Sequence, residues 1–275
     1  MPHSIPYWHV DAFSTEPFGG NQAAVMVLEE WLPDETLVKI GGENMFAETA
    51  FVVRDQTGEV DWELRWCTPT YEIALCGHAT LAAGHVLLTR DGGEAVRFRT
   101  RKSGILEVQR DAANGGIGYE VSLPATFSAL GTSDEAAPLM GGNPVAIYRP
   151  QGKDIRYHIF LYETEAEVRA LTPQIRALGA LGKDQFIATA PGDNHDCVSR
   201  VFVPGGGVDE DSVTGSAHSL LTPFWVDRLG RNNLKAHQAS ERGGDLTLRL
   251  EGTGESARAW LGGPCVTVVE GSFYL

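Results

Sequence analysis

The feature that most constrains this chain is a plan that occurs twice. Arg65-Trp66-Cys67-Thr68-Pro69 is followed by Cys76-Gly77-His78-Ala79 and an apolar run to Leu88. Arg200-Val201-Phe202-Val203-Pro204 is followed by Thr214-Gly215-Ser216-Ala217 and a run to Leu229. Each copy reads as strand, small-residue turn and buried helix, so a duplicated fold is expected, with its site between the halves. A helix that begins at Gly77 or Gly215 leaves its first backbone N–H groups without intrahelical partners, and these favour an anion. The run Gly207-Val208-Asp209-Glu210-Asp211 places carboxylates just before the second helix start. Asp211 is the member best placed to grip a ligand or carry a proton. The same acids read equally well as a solvated turn that suits the helix dipole.

Strand and helix patterns fill in the rest. Strands are predicted at residues 7–13, 23–28, 49–53, 60–66, 95–101, 105–109 and 119–123 in the first half. In the second they fall at 145–148, 157–161, 186–190, 196–203, 246–250 and 266–270. A helix from Asp34 to Ile40 is expected to stop at Gly41-Gly42. The small, polar and Gly/Pro-rich stretch 126–142 reads as a linker. The class is therefore α+β, with an N-terminal domain over 1–125 and a C-terminal domain over 142–275. Each is mostly strands around one long buried helix, and the last strand has the option of returning to the first domain.

Composition excludes several functions. A formal net charge of −14 argues against nucleic acid, which demands a basic face, and against anionic membrane surfaces. No apolar run approaches the ~20 residues of a membrane helix, and Met1-Pro2-His3-Ser4-Ile5 lacks the pattern of a secretory signal. Cys67, Cys76, Cys197 and Cys265 contain no CxxC pair and read as thiols of a reducing cytoplasm. His78, His85 and His218 lie in helical runs without ligand spacing, so no metal is expected. Rossmann, P-loop and nucleophile-elbow signatures are missing, which points to chemistry without a cofactor.

Three residues stand out as chemical groups. Glu48 is flanked by Phe46, Ala50 and Phe51, and partial desolvation would raise its pKa toward the range useful for proton transfer. It reads equally as a turn cap or the partner of an arginine. His78 at a helix start is expected to stay a neutral imidazole, in a structural or a functional role. Asp211 is the third. Gln238, Ser240, Arg242 and Gly243-Gly244 form a polar cluster on a predicted hairpin.

Taken in order, these segments resemble the PhzF-like family, the phenazine-biosynthesis isomerases. The matching residues are Val10-Asp11-Ala12-Phe13, Phe18-Gly19-Gly20-Asn21, Glu48-Thr49-Ala50-Phe51-Val52, Thr68-Pro69 with Glu72, and Leu75-Cys76-Gly77-His78-Ala79-Thr80-Leu81-Ala82. They continue with Arg200, Pro204, Glu210-Asp211, Val213-Thr214-Gly215-Ser216-Ala217-His218, Pro223, Trp225 and Gln238-Ala239-Ser240-Glu241-Arg242-Gly243-Gly244. The resemblance implies two pseudo-symmetric domains shaped like those of diaminopimelate epimerase, each a barrel-like sheet around a central helix, with the site in the cleft and dimers common. It implies a cofactor-independent isomerase of a small carboxylated substrate, like the family member that isomerises a dihydro-hydroxyanthranilate. Glu48 would move the proton between ring carbons. His78, Asp211 and Ser216 would orient the substrate and share protons, while the N–H groups of Gly77, Gly215 and Ser216 hold its carboxylate. The more distant epimerases carry opposed cysteines at the positions of Cys76 and Thr214, and only the first is a thiol here. Ser212 and Gln22 stand where the family commonly has proline. An epimerase using Cys76 with a carboxylate, and a binding protein without catalysis, are the competing readings.

Overall fold

The computed structural model describes residues 4–111, 118–151 and 156–275; of the N-terminal stretch read for a signal, Met1 to His3 lie outside them. The chain divides into two compact units, Met1–Leu123 with Gly262–Leu275, and Pro124–Leu261.

The first unit contains β1 (Ser4–Ala12), β2 (Asn21–Leu28), α1 (Asp34–Asn44), β3 (Glu48–Arg54), β4 (Trp62–Cys67), β5 (Glu72–Ile73), α2 (Gly77–Asp91), β6 (Ala95–Thr100), β7 (Ile105–Arg110) and β8 (Tyr119–Pro124). Strand β1 pairs antiparallel with β2, β2 lies parallel to β3, and β3 is antiparallel to β4. Strand β4 pairs antiparallel with the short β5 and parallel with β6, from which β7 and β8 continue antiparallel.

The second unit contains β9 (Ser128–Leu130), α3 (Ala137–Met140), β10 (Ala146–Pro150), β11 (Tyr157–Leu161), α4 (Glu165–Ala170), α5 (Ile175–Ala180), β12 (Gln185–Pro191), β13 (Cys197–Val203), β14 (Val208–Asp211), α6 (Gly215–Leu229), β15 (Asn233–Gln238), β16 (Gly244–Glu251) and β17 (Arg258–Gly263). The final strand β18 (Cys265–Tyr274) belongs to the first unit and pairs antiparallel with β1.

The second unit repeats the pairing of the first. Strand β10 is antiparallel to β11, β11 parallel to β12, and β12 antiparallel to β13. Strand β13 then pairs antiparallel with β14 and parallel with β15, and β15 is antiparallel to β16. The arginines of the two sequence copies mark the repeat. Arg65 on β4 donates from Nε and Nη2 to both oxygens of Glu72, at 2.9 and 2.6 Å. Arg200 on β13 does the same to Glu210, at 2.7 and 2.8 Å. In each unit a planar bidentate pair closes the hairpin before the long helix.

The helices α2 and α6 are buried on nearly every face of their first three turns, as helices apolar all round must be. Helix α2 packs against β1, β2, β3, β6, β7 and β18, so the first sheet wraps it. Among the described residues no helix is long and apolar enough to cross a membrane.

Three expectations are corrected. The stretch 126–142 is not a linker: β9 pairs with β10, and Ala136 and Met140 are buried in the core of the second unit with Phe160, Tyr162 and Phe186. The second unit accordingly starts at Pro124 and closes at Leu261, and β18 pairs with β1 in the first unit. Helix α1 runs through Gly41-Gly42 and ends at Met45 in the left-handed conformation. A Cβ on Gly41 would stand 2.7 Å from the Thr68 carbonyl oxygen, so this glycine serves close approach, not termination. Alanine would gain up to ~1 kcal/mol of helix propensity, but a backbone carbonyl cannot rotate away, and overpacking costs about 1–3 kcal/mol. Gly41→Ala is therefore expected to lower the unfolding midpoint, read by thermal denaturation; an unchanged or raised midpoint would contradict this packing.

Candidate active site

The predicted residues gather into one group in each unit. In the first, Glu48 opens β3 beside Ala23 of β2, and its side chain is 17% exposed. Cys76 precedes α2 in extended conformation, and its side chain does not cap the helix. Gly77 and His78 form the first turn, with His78 buried. His78 Nε2 lies 3.3 Å from Glu48 Oε2. On the other side of the ring, Asn21 Nδ2 is 3.2 Å and Cys76 Sγ 3.6 Å from Nδ1. Amide and thiol are both donors, so Nδ1 accepts, and a neutral imidazole then carries its proton on Nε2, toward Glu48. The arrangement sets the Glu48 carboxylate 3.3 Å from the imidazole Nε2, within ion-pair distance. The oxygen and nitrogen atoms of Glu48 and His78, with the Cys76 sulfur, lie within 4.8 Å of one another, so this trio could also ligate a metal ion.

In the second unit the loop from Asp211 to Thr214 is held by one buried amide. Gln238 Nε2 donates to the Asp211 carbonyl at 2.6 Å and to Thr214 Oγ1 at 3.2 Å, and its Oε1 accepts from the Thr214 N–H at 2.8 Å. Ser240 Oγ donates to the Ser212 carbonyl at 2.7 Å, so the loop is pinned although Ser212 is not proline. Thr214 precedes α6 but does not cap it: its hydroxyl donates to Asp211 Oδ2 at 2.6 Å. The first N–H groups of α6, Gly215 and Ser216 included, are thus left facing outward from the helix start.

The repeat exposes a residue that sequence reasoning missed. In β12, Gln185 is opposite Tyr157 of the parallel strand β11, the register position that Glu48 holds opposite Ala23. Ser216 follows Gly215 as His78 follows Gly77. Ser216 Oγ and the Gln185 amide are 3.4 Å apart, matching the Glu48–His78 contact. One unit thus offers an acid with an imidazole, while the other offers an amide with a hydroxyl. Tyr157 also bonds Ser216, and burial raises its phenol pKa, keeping it a donor. The hairpins after Glu48 and Gln185 differ in length, so counting back from Arg65 and Arg200 does not align them.

Burial keeps three further groups, Cys67, Cys197 and His218, in their neutral forms. Burial pushes the thiols of Cys67 and Cys197 up to about 11 and about 12. His218 is fully buried, with Nδ1 2.8 Å from the Thr214 carbonyl and Nε2 3.3 Å from Ser199 Oγ. Desolvation lowers its pKa from 6.5 to about 4. The unfolded chain therefore takes up a proton that the folded one refuses, and the stability from neutral His218 is present above about pH 6.5 and lost as pH falls toward about 4. Urea midpoints are expected to drop between pH 7 and pH 5, with a shallower slope in His218→Gln; an equal slope would contradict the assignment.

This fold is shared with epimerases and racemases. The chain belongs to the PhzC-PhzF family, described as phenazine biosynthesis-like protein, which it matches over residues 10–271. It is similar to an uncharacterized isomerase of Pseudomonas aeruginosa, 43% identical and covering 98% of this chain and 99% of that one. It is also similar to the crystal structure of a PhzF-family protein from Enterococcus faecalis, with a TM-score of 0.87, 38% identity and coverage of 99% and 100%. A hydroxyproline epimerase from Agrobacterium vitis, 11% identical with a TM-score of 0.66 and coverage of 99% and 93%, shares the fold.

Proposed function

We propose that this protein is a cofactor-independent isomerase that moves a proton within a small carboxylated substrate, with Glu48 as the acid/base that takes and returns it. The observation that carries this reading is the amide Gln185 at the register position equivalent to Glu48. A two-base epimerase needs a proton carrier on each face of a carbon, and neither the Gln185 amide nor the Thr214 hydroxyl, which stands at the second thiol position of the epimerases, is one. Glu48 would take a proton from one carbon, and the electron pair left behind would spread over an adjacent double bond. The resulting carboxylic acid, its proton exchanging with solvent, would deliver a proton at the far end, so one double bond moves with no net uptake or release of protons. His78 Nε2–H would support the carboxylate, and Asp211 with Ser216 would orient the substrate. The outward N–H groups of Gly77, Gly215 and Ser216 would hold its carboxylate, worth most where water is excluded.

The family points to a dihydro-hydroxyanthranilate as the first substrate to try. Conversion of that compound, or of another unsaturated carboxylate with a movable double bond, supports the reading. Racemisation of a saturated amino acid would overturn it. The thiol of Cys76 bonds the imidazole and has no proton-transfer role in this scheme, so Cys76→Ser is expected to retain turnover within about threefold; a loss of the 10²-fold order typical of a lost general base would move the chemistry to the sulfur.

A further inference from the structure

We propose that the second unit carries a divalent transition-metal site formed by His195, His237 and Asp245. Strands β15 and β16 place His237 directly opposite Asp245. The parallel pairing of β13 with β15 sets Val198 beside His237, and the turn before β13 brings His195 against the His237 ring. The two imidazoles stack with ring centroids 5.2 Å apart. Their nitrogens converge on one carboxylate oxygen: Asp245 Oδ1 is 2.7 Å from His237 Nδ1 and 3.2 Å from His195 Nε2.

These spacings suit a coordination sphere. Ligands at the ~2.0–2.2 Å expected for zinc with histidine and carboxylate stand roughly 3 Å from one another. All three donor atoms already lie within 4.8 Å. Two imidazoles and one carboxylate select borderline first-row ions over calcium or magnesium, and leave positions open for water. The Glu165 carboxylate adds negative charge near His237. Gly243, at φ +64°, lies 3.5 Å from the His237 ring at the position where its Cβ would be, so the turn leaves the ring room to adjust. Both imidazoles are partly exposed, which gives an ion access from solvent. A bound ion would clamp the β15–β16 hairpin to the turn before β13, one residue from Gln238.

Zinc titration by calorimetry tests the site in the full chain, with wild type, His195→Ala, His237→Ala, Asp245→Asn and Cys76→Ser compared. The last variant separates it from the Glu48, Cys76 and His78 trio. One saturable equivalent is expected in Cys76→Ser, weakened about tenfold or more, as for lost ligand support, in His195→Ala, His237→Ala and Asp245→Asn. Zinc should also raise the unfolding midpoint of Cys76→Ser but not of His195→Ala. Absence of saturable binding in wild type, or binding lost in Cys76→Ser and retained in His195→Ala and Asp245→Asn, would overturn the proposal. Circular dichroism of each variant verifies folding, and the exposed Asp245→Asn gives an independent reading if an alanine variant fails to fold.

Discussion

Glu48→Gln is expected to reduce turnover by about 10²–10⁴, the usual contribution of a positioned general acid/base, or roughly 3–5 kcal/mol of barrier. The substitution keeps the shape of the side chain at the head of β3 and leaves an acceptor for His78 Nε2–H. It removes only the capacity to take a proton. Substrate binding should change far less than turnover, because Glu48 is not among the groups assigned to hold the carboxylate. The chain contains a natural comparison, since the second unit already has glutamine at the equivalent register position. Comparable loss of kcat and kcat/KM, with folding unchanged by circular dichroism, is the expected pattern. Turnover within tenfold of wild type would remove Glu48 from the chemistry.

The second large effect is expected from Gln238→Leu. Gln238 is fully buried, and leucine fills a similar volume without the amide. The Thr214 N–H and the Asp211 carbonyl would each lose a partner at 2.8 and 2.6 Å. An orphaned buried polar group costs about 1–3 kcal/mol, so a total of about 2–5 kcal/mol is expected in urea unfolding. Loss of the clamp also frees Asp211 and the start of α6. Misplacement by about 1 Å costs on the order of 10² in rate, so turnover should fall even where the variant remains folded. Gln238→Glu, which can still accept from Thr214, should recover part of the stability. A Gln238→Leu protein as stable and active as wild type would show that the clamp does not position the loop.

Much of this was legible in the sequence. The two strand–turn–helix copies stand out because buried helices require unbroken small and apolar residues, and Arg65 and Arg200 recur at the strand that precedes each turn. Glu48, Cys76 and His78 stand together, as do Asp211 and Thr214, within their own units. Other features depend on register, which local pattern does not encode. Gln185 gains its meaning only from the parallel pairing of β11 with β12, and the convergence of His195, His237 and Asp245 only from β13, β15 and β16. The acids of β14 read from local sequence as a turn or as ligand groups, and only the hairpin pairing shows that Glu210 answers Arg200. The stretch 126–142 scatters its apolar residues among glycine, serine and acids in no regular period, yet Ala136 and Met140 are buried in the core. Gly41 looked like a stop because the carbonyl it approaches belongs to Thr68, beyond β3 and β4.

The most direct test of a single-base isomerase follows turnover in deuterated water by NMR, with wild type and Glu48→Gln side by side. The account predicts deuterium at the one carbon that receives the proton, and neither label nor product in the variant. Deuterium at a carbon that both loses and regains its proton with inverted configuration, or label that persists in Glu48→Gln, would contradict it.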